Sequence, residues 1–232
     1  MNKESFIKEL KIRNVHVSDE QFSLLEKYMD YVLEYNQKFN LTSIEDRSEF
    51  LEKMIFDCAI ILNDFYLKRS SILDIGTGAG FPSVILAILS NNKVSALDAT
   101  KKKIDFINKF AKENNIPLNC INERAEIFAK ENREKYDYVT ARAVAPLRIL
   151  VELAIPMLKI GGKLLAYKGP SFEEEIEKTR STFVKLGCHV EKVYFDTLPD
   201  SKEDRTIIYV VKDKITDEKY PREYKLIKEK SL

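Results

Sequence analysis

The sequence predicts an α/β fold. A seven-stranded, mostly parallel sheet carries helices on both faces, ends in an antiparallel hairpin and is preceded by a helical extension. Three observations carry that prediction. From Ser71 onward, short apolar runs alternate with stretches of helical period, the pattern of repeated βαβ units. A glycine-rich turn, Gly76-Thr77-Gly78-Ala79-Gly80, joins the first run to the first helix of that series. The last two runs, Cys188 to Phe195 and Thr206 to Val211, have no helix between them, so they pair as a hairpin at the sheet edge. The expected division is a helical extension, 1–69, and a sheet domain, 70–232.

Composition limits the function classes. The 232 residues are 44% hydrophobic, enough for a sizeable core, and 32% charged with a net charge of +1. Whole-chain charge therefore argues neither for nor against a nucleic-acid partner. The cysteines Cys58, Cys120 and Cys188 are far apart and form no C-x-x-C, a reduced cytosolic pattern without a disulfide framework or zinc site. The N-terminus opens as a charged amphipathic stretch rather than a signal peptide, and no apolar run approaches the length of a membrane span. The expectation is a cytoplasmic monomer with no metal and no membrane partner.

The extension reads as three helices. Phe6, Ile7 and Leu10 mark the first face. Ser18-Asp19-Glu20-Gln21 reads as a capping box, and Phe22, Leu25, Tyr28, Met29, Val32 and Leu33 follow at helical spacing. Phe39-Asn40-Leu41-Thr42 breaks the pattern, and a third helix is expected from about Ser48 to Tyr66. This region holds 10 basic and 13 acidic residues, so its expected role is to pack against the sheet domain and cover one end of the site.

In the sheet domain, Ile72 to Ile75 is a buried strand, Pro82 sits at a first helical position, and Val84 to Leu89 is apolar enough for a packed helix. Strand, glycine turn and helix N-terminus together make a ligand cradle. The spacing Gly76-x-Gly78-x-Gly80 is one residue shorter than the dinucleotide fingerprint, and an acid, Asp74, precedes it. The stretch resembles the first motif of the class I S-adenosylmethionine (SAM) methyltransferases, a Rossmann-like fold. Such a loop must accommodate a zwitterionic methionine tail. Its carboxylate suits the helix N-terminus, and its ammonium suits Asp74 or backbone carbonyls.

The second strand, Val94 to Leu97, ends in Asp98, 18 residues past Gly80, about where such folds place an acid on ribose hydroxyls. Lys101-Lys102-Lys103 opens the next helix. After the third strand, Leu118 to Asn122, comes Arg124-Ala125-Glu126, where backbone from Ala125 suits an adenine edge. Glu126 is open to a plain helix-start reading. The fourth strand, Tyr138 to Ala141, delivers Arg142. Gly161-Gly162 is expected to turn into a fifth strand, Lys163 to Tyr167, and an acidic helix follows from Phe172 to Leu186.

The residues after the fourth strand, Thr140-Ala141-Arg142-Ala143, contain neither the Asn/Asp-Pro-Pro-aromatic signature of exocyclic amine targets nor a Pro-Cys nucleophile. His16 and His189 fall outside the expected cleft edge, which disfavours a histidine base. A ring nitrogen with a free lone pair, such as guanine N7, fits this pattern without being selected by it. Methyl transfer to a protein or small molecule, hydride transfer with a nicotinamide, and non-catalytic binding stay open on the residues alone.

One ordered set narrows this. Asn40-Leu41-Thr42, Leu73 to Pro82, Asp98 to Lys103, Arg124-Ala125-Glu126, Ala141-Arg142-Ala143, Tyr167-Lys168-Gly169 and Lys219-Tyr220-Pro221-Arg222 occur in one order. Together they resemble the RsmG (GidB) family of bacterial 16S ribosomal RNA guanine-N7 methyltransferases over nearly the whole chain. The resemblance implies SAM as cofactor, in a pocket lined by Gly76, Phe81, Asp98, Ala125, Glu126 and Arg142, with Asp74, Gly78 and Gly80 in the same cradle. It implies a small-subunit ribosomal RNA or ribosomal particle as partner. Arg142 is the expected positioning residue, without a general base; the alternative for it is a structural ion pair with a nearby acid. Lys101, Lys102, Lys168 and Arg222 are expected to meet RNA at the sheet's C-terminal edge. The chain departs from the family pattern at Met54, where a histidine is usual, and in the tail Glu223-Tyr224-Lys225-Leu226-Ile227; both departures are expected to bear on RNA contacts.

Overall fold

A computed structural model describes residues 1–39, 41–64 and 69–232. Helices α1 (Lys3–Ile12) and α2 (Asp19–Phe39) open the chain. The capping box forms as expected. The Gln21 backbone amide donates to Ser18 Oγ at 3.2 Å, and the Ser18 amide donates to Gln21 Oε1 at 3.0 Å.

The expected third helix is a composite. It consists of α3 (Arg47–Phe50), a π-helical turn Leu51–Phe56, α4 (Asp57–Ala59) and a 3₁₀ stretch Ile60–Asp64. Its expected continuation to Tyr66 lies outside the described residues, as does Asn40. A π turn displaces the ladder by one residue and is often found where function needs a side chain re-aimed. Here it precedes Asp57 and Cys58, which face Arg142.

Seven strands follow in the order β3-β2-β1-β4-β5-β7-β6. They are β1 (Ser71–Ile75), β2 (Lys93–Asp98), β3 (Leu118–Asn122), β4 (Tyr136–Arg142), β5 (Leu158–Lys168), β6 (Cys188–Thr197) and β7 (Asp204–Lys212). The first five run parallel, and β7 pairs antiparallel with both β5 and β6, the expected terminal hairpin. The connecting helices are α5 (Ser83–Leu89), α6 (Lys101–Glu113), α7 (Ala125–Glu131), α8 (Leu147–Ala154) and α9 (Phe172–Leu186); α10 (Tyr224–Glu229) closes the chain.

Two expectations need correction. Pro82 precedes α5 as its N-cap residue rather than opening it. Gly161-Gly162 does not turn into β5 but lies inside it, where the β4 pairing shifts register between Tyr136 and Tyr138. Gly161 takes φ +80°, and a Cβ at Gly162 would come within 2.9 Å of the Lys159 carbonyl oxygen and 3.0 Å of that of Asp137. The two glycines serve a bulge.

The strands are apolar on both faces because both are covered. Ile72 points into a core built with α5, α6 and the N-terminal helices, including Phe6, Tyr28, Phe56 and Phe110. Leu73 points into the opposite layer with Phe128, Leu150 and Phe183 of α7, α8 and α9. Residues before 65 thus share a core with the sheet, and Phe6, Phe22 and Phe56 meet edge to face at 5.4 and 6.0 Å inside it. No described helix is long and apolar enough to cross a membrane.

Candidate active site

In open α/β sheets ligands bind beyond the C-terminal ends of the strands. There β1 leads into the glycine turn. The amides of Gly76 and Thr77 both donate to the Leu97 carbonyl, at 2.8 and 3.1 Å, which ties the turn to β2. Gly76, Gly78 and Gly80 take φ of +67°, +59° and +83°, the left-handed region that glycine tolerates.

The three glycines meet different surroundings. A Cβ at Gly76 would press on Val144 at 2.8 Å. At Gly78 it would meet only the Gly76 carbonyl oxygen, 3.9 Å away, so this position borders open room. At Gly80 it would strike the Tyr28 hydroxyl at 2.3 Å and Val84 at 2.5 Å. Gly80 is therefore a packing glycine under α2, not a wall of the cradle. The buried Phe81 ring packs against Tyr28 at 5.6 Å and Phe50 at 5.7 Å, inside the core, so any contact it makes with the cradle is through its backbone.

Asp74 is corrected as well. Its carboxylate is fully buried beneath the turn, where it accepts from the Ser83 amide at 3.2 Å and from Thr140 Oγ1 at 3.1 Å. Burial pushes its pKa up to about 6 against those hydrogen bonds. It braces the turn and the start of α5 from below rather than facing a ligand ammonium.

Asp98 stands at the rim. Its two oxygens accept from the amides of Gly78 at 3.1 Å and Thr100 at 2.8 Å, which orients the carboxylate and leaves further lone pairs. A cleft of about 300 Å³ opens beside it, lined by Gly76, Asp98, Ala125, Glu126, Val144 and Tyr224 among others. Four expected residues meet there: Gly76, Asp98, Ala125 and Glu126. Glu126 is held by Arg124 Nε at 2.5 Å, and the Arg124 guanidinium lies 5.2 Å from the Tyr224 ring.

Val144 and Tyr224 are additions. Val144 reads in sequence as one more apolar residue. Tyr224 lies in the divergent tail that was expected to bear on RNA contacts, but here it walls the cleft beside Asp98.

Arg142 lies elsewhere. Its guanidinium turns toward the composite third helix, donating to the Lys53 carbonyl at 2.9 Å and Cys58 Sγ at 3.2 Å, with Asp57 Oδ2 at 3.5 Å and Met54 Sδ at 3.5 Å. The buried Asp57 also pairs with Arg205 at 3.1 Å. Arg142 thus carries a tertiary ion-pair network that anchors the end of β4. Its successor Ala143 takes φ +55°, so the anchored strand end feeds a strained turn.

Two of the expected RNA-facing cations are likewise engaged. Lys168 Nζ donates to the Ala145 carbonyl at 2.8 Å and pairs with Glu175 at 2.7 Å. Arg222 grips Glu152 with two hydrogen bonds of 2.8 and 2.7 Å. Lys101 and Lys102 are exposed at the start of α6, Lys101 paired with Asp105. Of the four cations expected to meet RNA, Lys101, Lys168 and Arg222 are thus each paired with a carboxylate of the chain itself.

A family model, rRNA small subunit methyltransferase G (GidB), matches residues 21–205. The chain belongs to this family. Ribosomal RNA small subunit methyltransferase G of Oceanobacillus iheyensis is 38% identical over 228 residues, covering 96% of this chain and 95% of that protein. Its counterpart in Bacillus cytotoxicus is 39% identical over 229 residues, with the same coverage of 96% and 95%. Among solved structures, a ribosomal protein L11 methylase from Lactobacillus delbrueckii subsp. bulgaricus superposes with a TM-score of 0.54 at 13% identity, over 70% of this chain and 79% of the other. A SAM dependent methyltransferase from Aquifex aeolicus gives 0.52 at 18% identity, over 74% and 96%. The fold is that of the SAM-dependent methyltransferases, as the glycine turn and terminal hairpin imply.

Proposed function

We propose that the chain transfers a methyl group from SAM to N7 of a guanine in 16S ribosomal RNA. The observation that carries the reading is the cleft between Gly76, Asp98 and Ala125, placed at the C-terminal edge of a sheet whose family is rRNA small subunit methyltransferase G.

The residues fit the cofactor. The open room at Gly78 admits a ligand against bare backbone, Asp98 offers a pre-oriented acceptor for a diol, and the Ala125 backbone borders the same space. Val144 and Tyr224 supply apolar walls. When bound, the cofactor supplies an electrophilic methyl on a sulfonium. The protein's task is then to position the acceptor and keep water out.

Guanine N7 has a lone pair and no proton to lose, so no side chain is required as a base. The residues support that economy. His189 pairs with Asp213 at the start of β6, the far end of the hairpin from the cleft. Burial pushes the Cys58 and Cys188 thiols up to about 12 and that of Cys120 to about 11, so none of the three is a ready thiolate. Lys101 and Lys102, at the start of α6 three and four residues past Asp98 at the end of β2, are proposed to meet RNA phosphates. A ribosomal substrate supports a cytoplasmic enzyme, and a monomer is the proposed form.

The test is labelled-methyl transfer from SAM to small-subunit RNA and to ribosomal particles from a strain lacking this enzyme, followed by mass spectrometry of the nucleosides. The expected product is N7-methylguanosine at one site. Label in protein, or in another nucleoside, would overturn the reading.

A further inference from the structure

A second cleft, of about 490 Å³, opens at the same edge of the sheet, bounded by Lys168, Phe172, Phe195, Thr197, Asp204 and Thr206 among others. Its volume lies within the range of small-ligand pockets, about 300–1,000 Å³. The strand register explains its place. Lys168 at the end of β5 and Phe195 near the end of β6 both pair with Thr206, and Thr197 pairs with Asp204. The cleft therefore lies beyond the C-terminal end of β5, next to the strand that ends in Arg142.

One loop joins the two clefts. Val144 lines the cofactor cleft, and the carbonyl of its neighbour Ala145 accepts from Lys168 of the second. A group seated in the second cleft is thus one loop away from the cofactor side.

Its walls have an unusual composition. Phe195 is 60% exposed and meets the partly buried Phe172 edge to face at 5.4 Å, so an exposed ring is held in place at the surface by one that packs on the core. Of the two carboxylates, Asp196 is committed to Arg13, at 2.8 Å for each of two bonds, and to the Tyr194 hydroxyl at 2.9 Å. Asp204 is exposed, and among the described residues its side chain accepts one long bond, of 3.3 Å from Thr197 Oγ1. Carboxylates repel phosphate, so the cleft does not suit an RNA backbone. An aromatic face beside a carboxylate suits an unstacked base that presents hydrogen-bond donors.

We propose that this cleft seats the base of the target nucleotide, and that Asp204 selects guanine. Phe195 lies against the purine face, and the Asp204 carboxylate accepts from guanine N1–H and N2–H₂. That edge lies across the ring system from N7, so the contact turns N7 away from Asp204. Adenine offers an acceptor at N1 and has no N2 amine, so the same carboxylate rejects it. The proposal rests on the RNA reading above and adds the base subsite.

The experiment compares wild type with Asp204→Asn, Phe195→Ala and Phe195→Tyr, using small-subunit ribosomal particles from a strain lacking the enzyme. SAM affinity is measured in parallel by calorimetry. Asp204→Asn is expected to lower kcat/KM for the particle at least tenfold, and Phe195→Ala at least about fivefold, the low end for loss of one base–aromatic stack. Phe195→Tyr should restore the rate to within about twofold. SAM affinity and melting temperature should stay at wild-type values, since both residues are exposed. On RNA carrying inosine at the mapped position, which lacks the N2 amine, wild type should slow severalfold and Asp204→Asn should slow no further. Guanine methylation by wild type with all three variants within twofold of it would overturn the base subsite alone. Absence of guanine methylation by wild type would overturn the RNA reading with it.

Discussion

The Tyr28 hydroxyl donates to the Ala79 carbonyl at 2.5 Å, bridging 51 residues from the second helix to the glycine turn. The bond is buried, and the same hydroxyl fills the space that a side chain at Gly80 would need. The N-terminal helices thus hold the turn from behind while its front stays open at Gly78.

That geometry gives a double-mutant test. Tyr28→Phe leaves a buried carbonyl without its donor and should cost about 1–3 kcal/mol. Gly80→Ala should cost more, from the clash and from the left-handed φ. Because removing the hydroxyl also removes the nearest clashing atom, the double variant should be more stable than the sum by about 0.5–3 kcal/mol. Strict additivity in denaturant unfolding would show that the turn relaxes independently of α2.

Asp98 is predicted to act on the ribose side of the cofactor. Asp98→Ala removes a charged acceptor and releases the amides of Gly78 and Thr100. Affinity should fall by roughly 1.5–3 kcal/mol, equally for SAM and S-adenosylhomocysteine, since both carry the ribose. A loss confined to SAM in calorimetry would place Asp98 at the sulfonium instead.

Much of this was legible in the sequence because it is local. The strands, the Ser18–Gln21 cap, the glycine turn and the helix-free final pair each show in short stretches of sequence, and these form where the sequence puts them. The π turn at Leu51–Phe56 was not legible, because its residues have ordinary helical spacing. Nor was the bulge at Gly161-Gly162, where a glycine pair reads equally well as a turn. The cations fail for a different reason. Lys168 and Arg222 look free in sequence, but their partners Glu175 and Glu152 lie 7 and 70 residues away and become visible only in the fold. Asp74 carries the first-motif pattern, but the partners that hold its buried carboxylate, Ser83 and Thr140, lie 9 and 66 residues away and become visible only in the fold.

Arg142 is predicted to be a stability residue as well as a determinant of rate. Removing one partner of a buried ion pair typically costs about 3–5 kcal/mol. Arg142→Ala leaves Asp57 with Arg205 alone and frees the end of β4. Its melting temperature should drop by roughly 6 °C or more, with SAM affinity reduced only through the loosened loop. Pairing it with Asp57→Asn should recover part of the loss. An Arg142→Ala protein that melts with wild type and loses activity would instead make the guanidinium a direct substrate contact.

The last prediction uses pH. The Asp74 carboxyl has a folded pKa of about 6 against an ordinary value of 3.8, because burial disfavours its charge. Folding therefore favours the protonated form. The stability linked to that proton is fully present below about pH 4 and is lost as pH rises through about 6. Asp74→Asn keeps a neutral group of the same shape, with an oxygen to accept from the Ser83 amide and an NH₂ to donate to Thr140 Oγ1. It should match wild type near pH 4 and exceed it by about 1–3 kcal/mol at pH 7.5. Unfolding free energies of the two proteins, measured across that range, are the check. A constant difference between them would mean that Asp74 titrates in the fold as it does in the unfolded chain, and that its two hydrogen bonds fully compensate its burial.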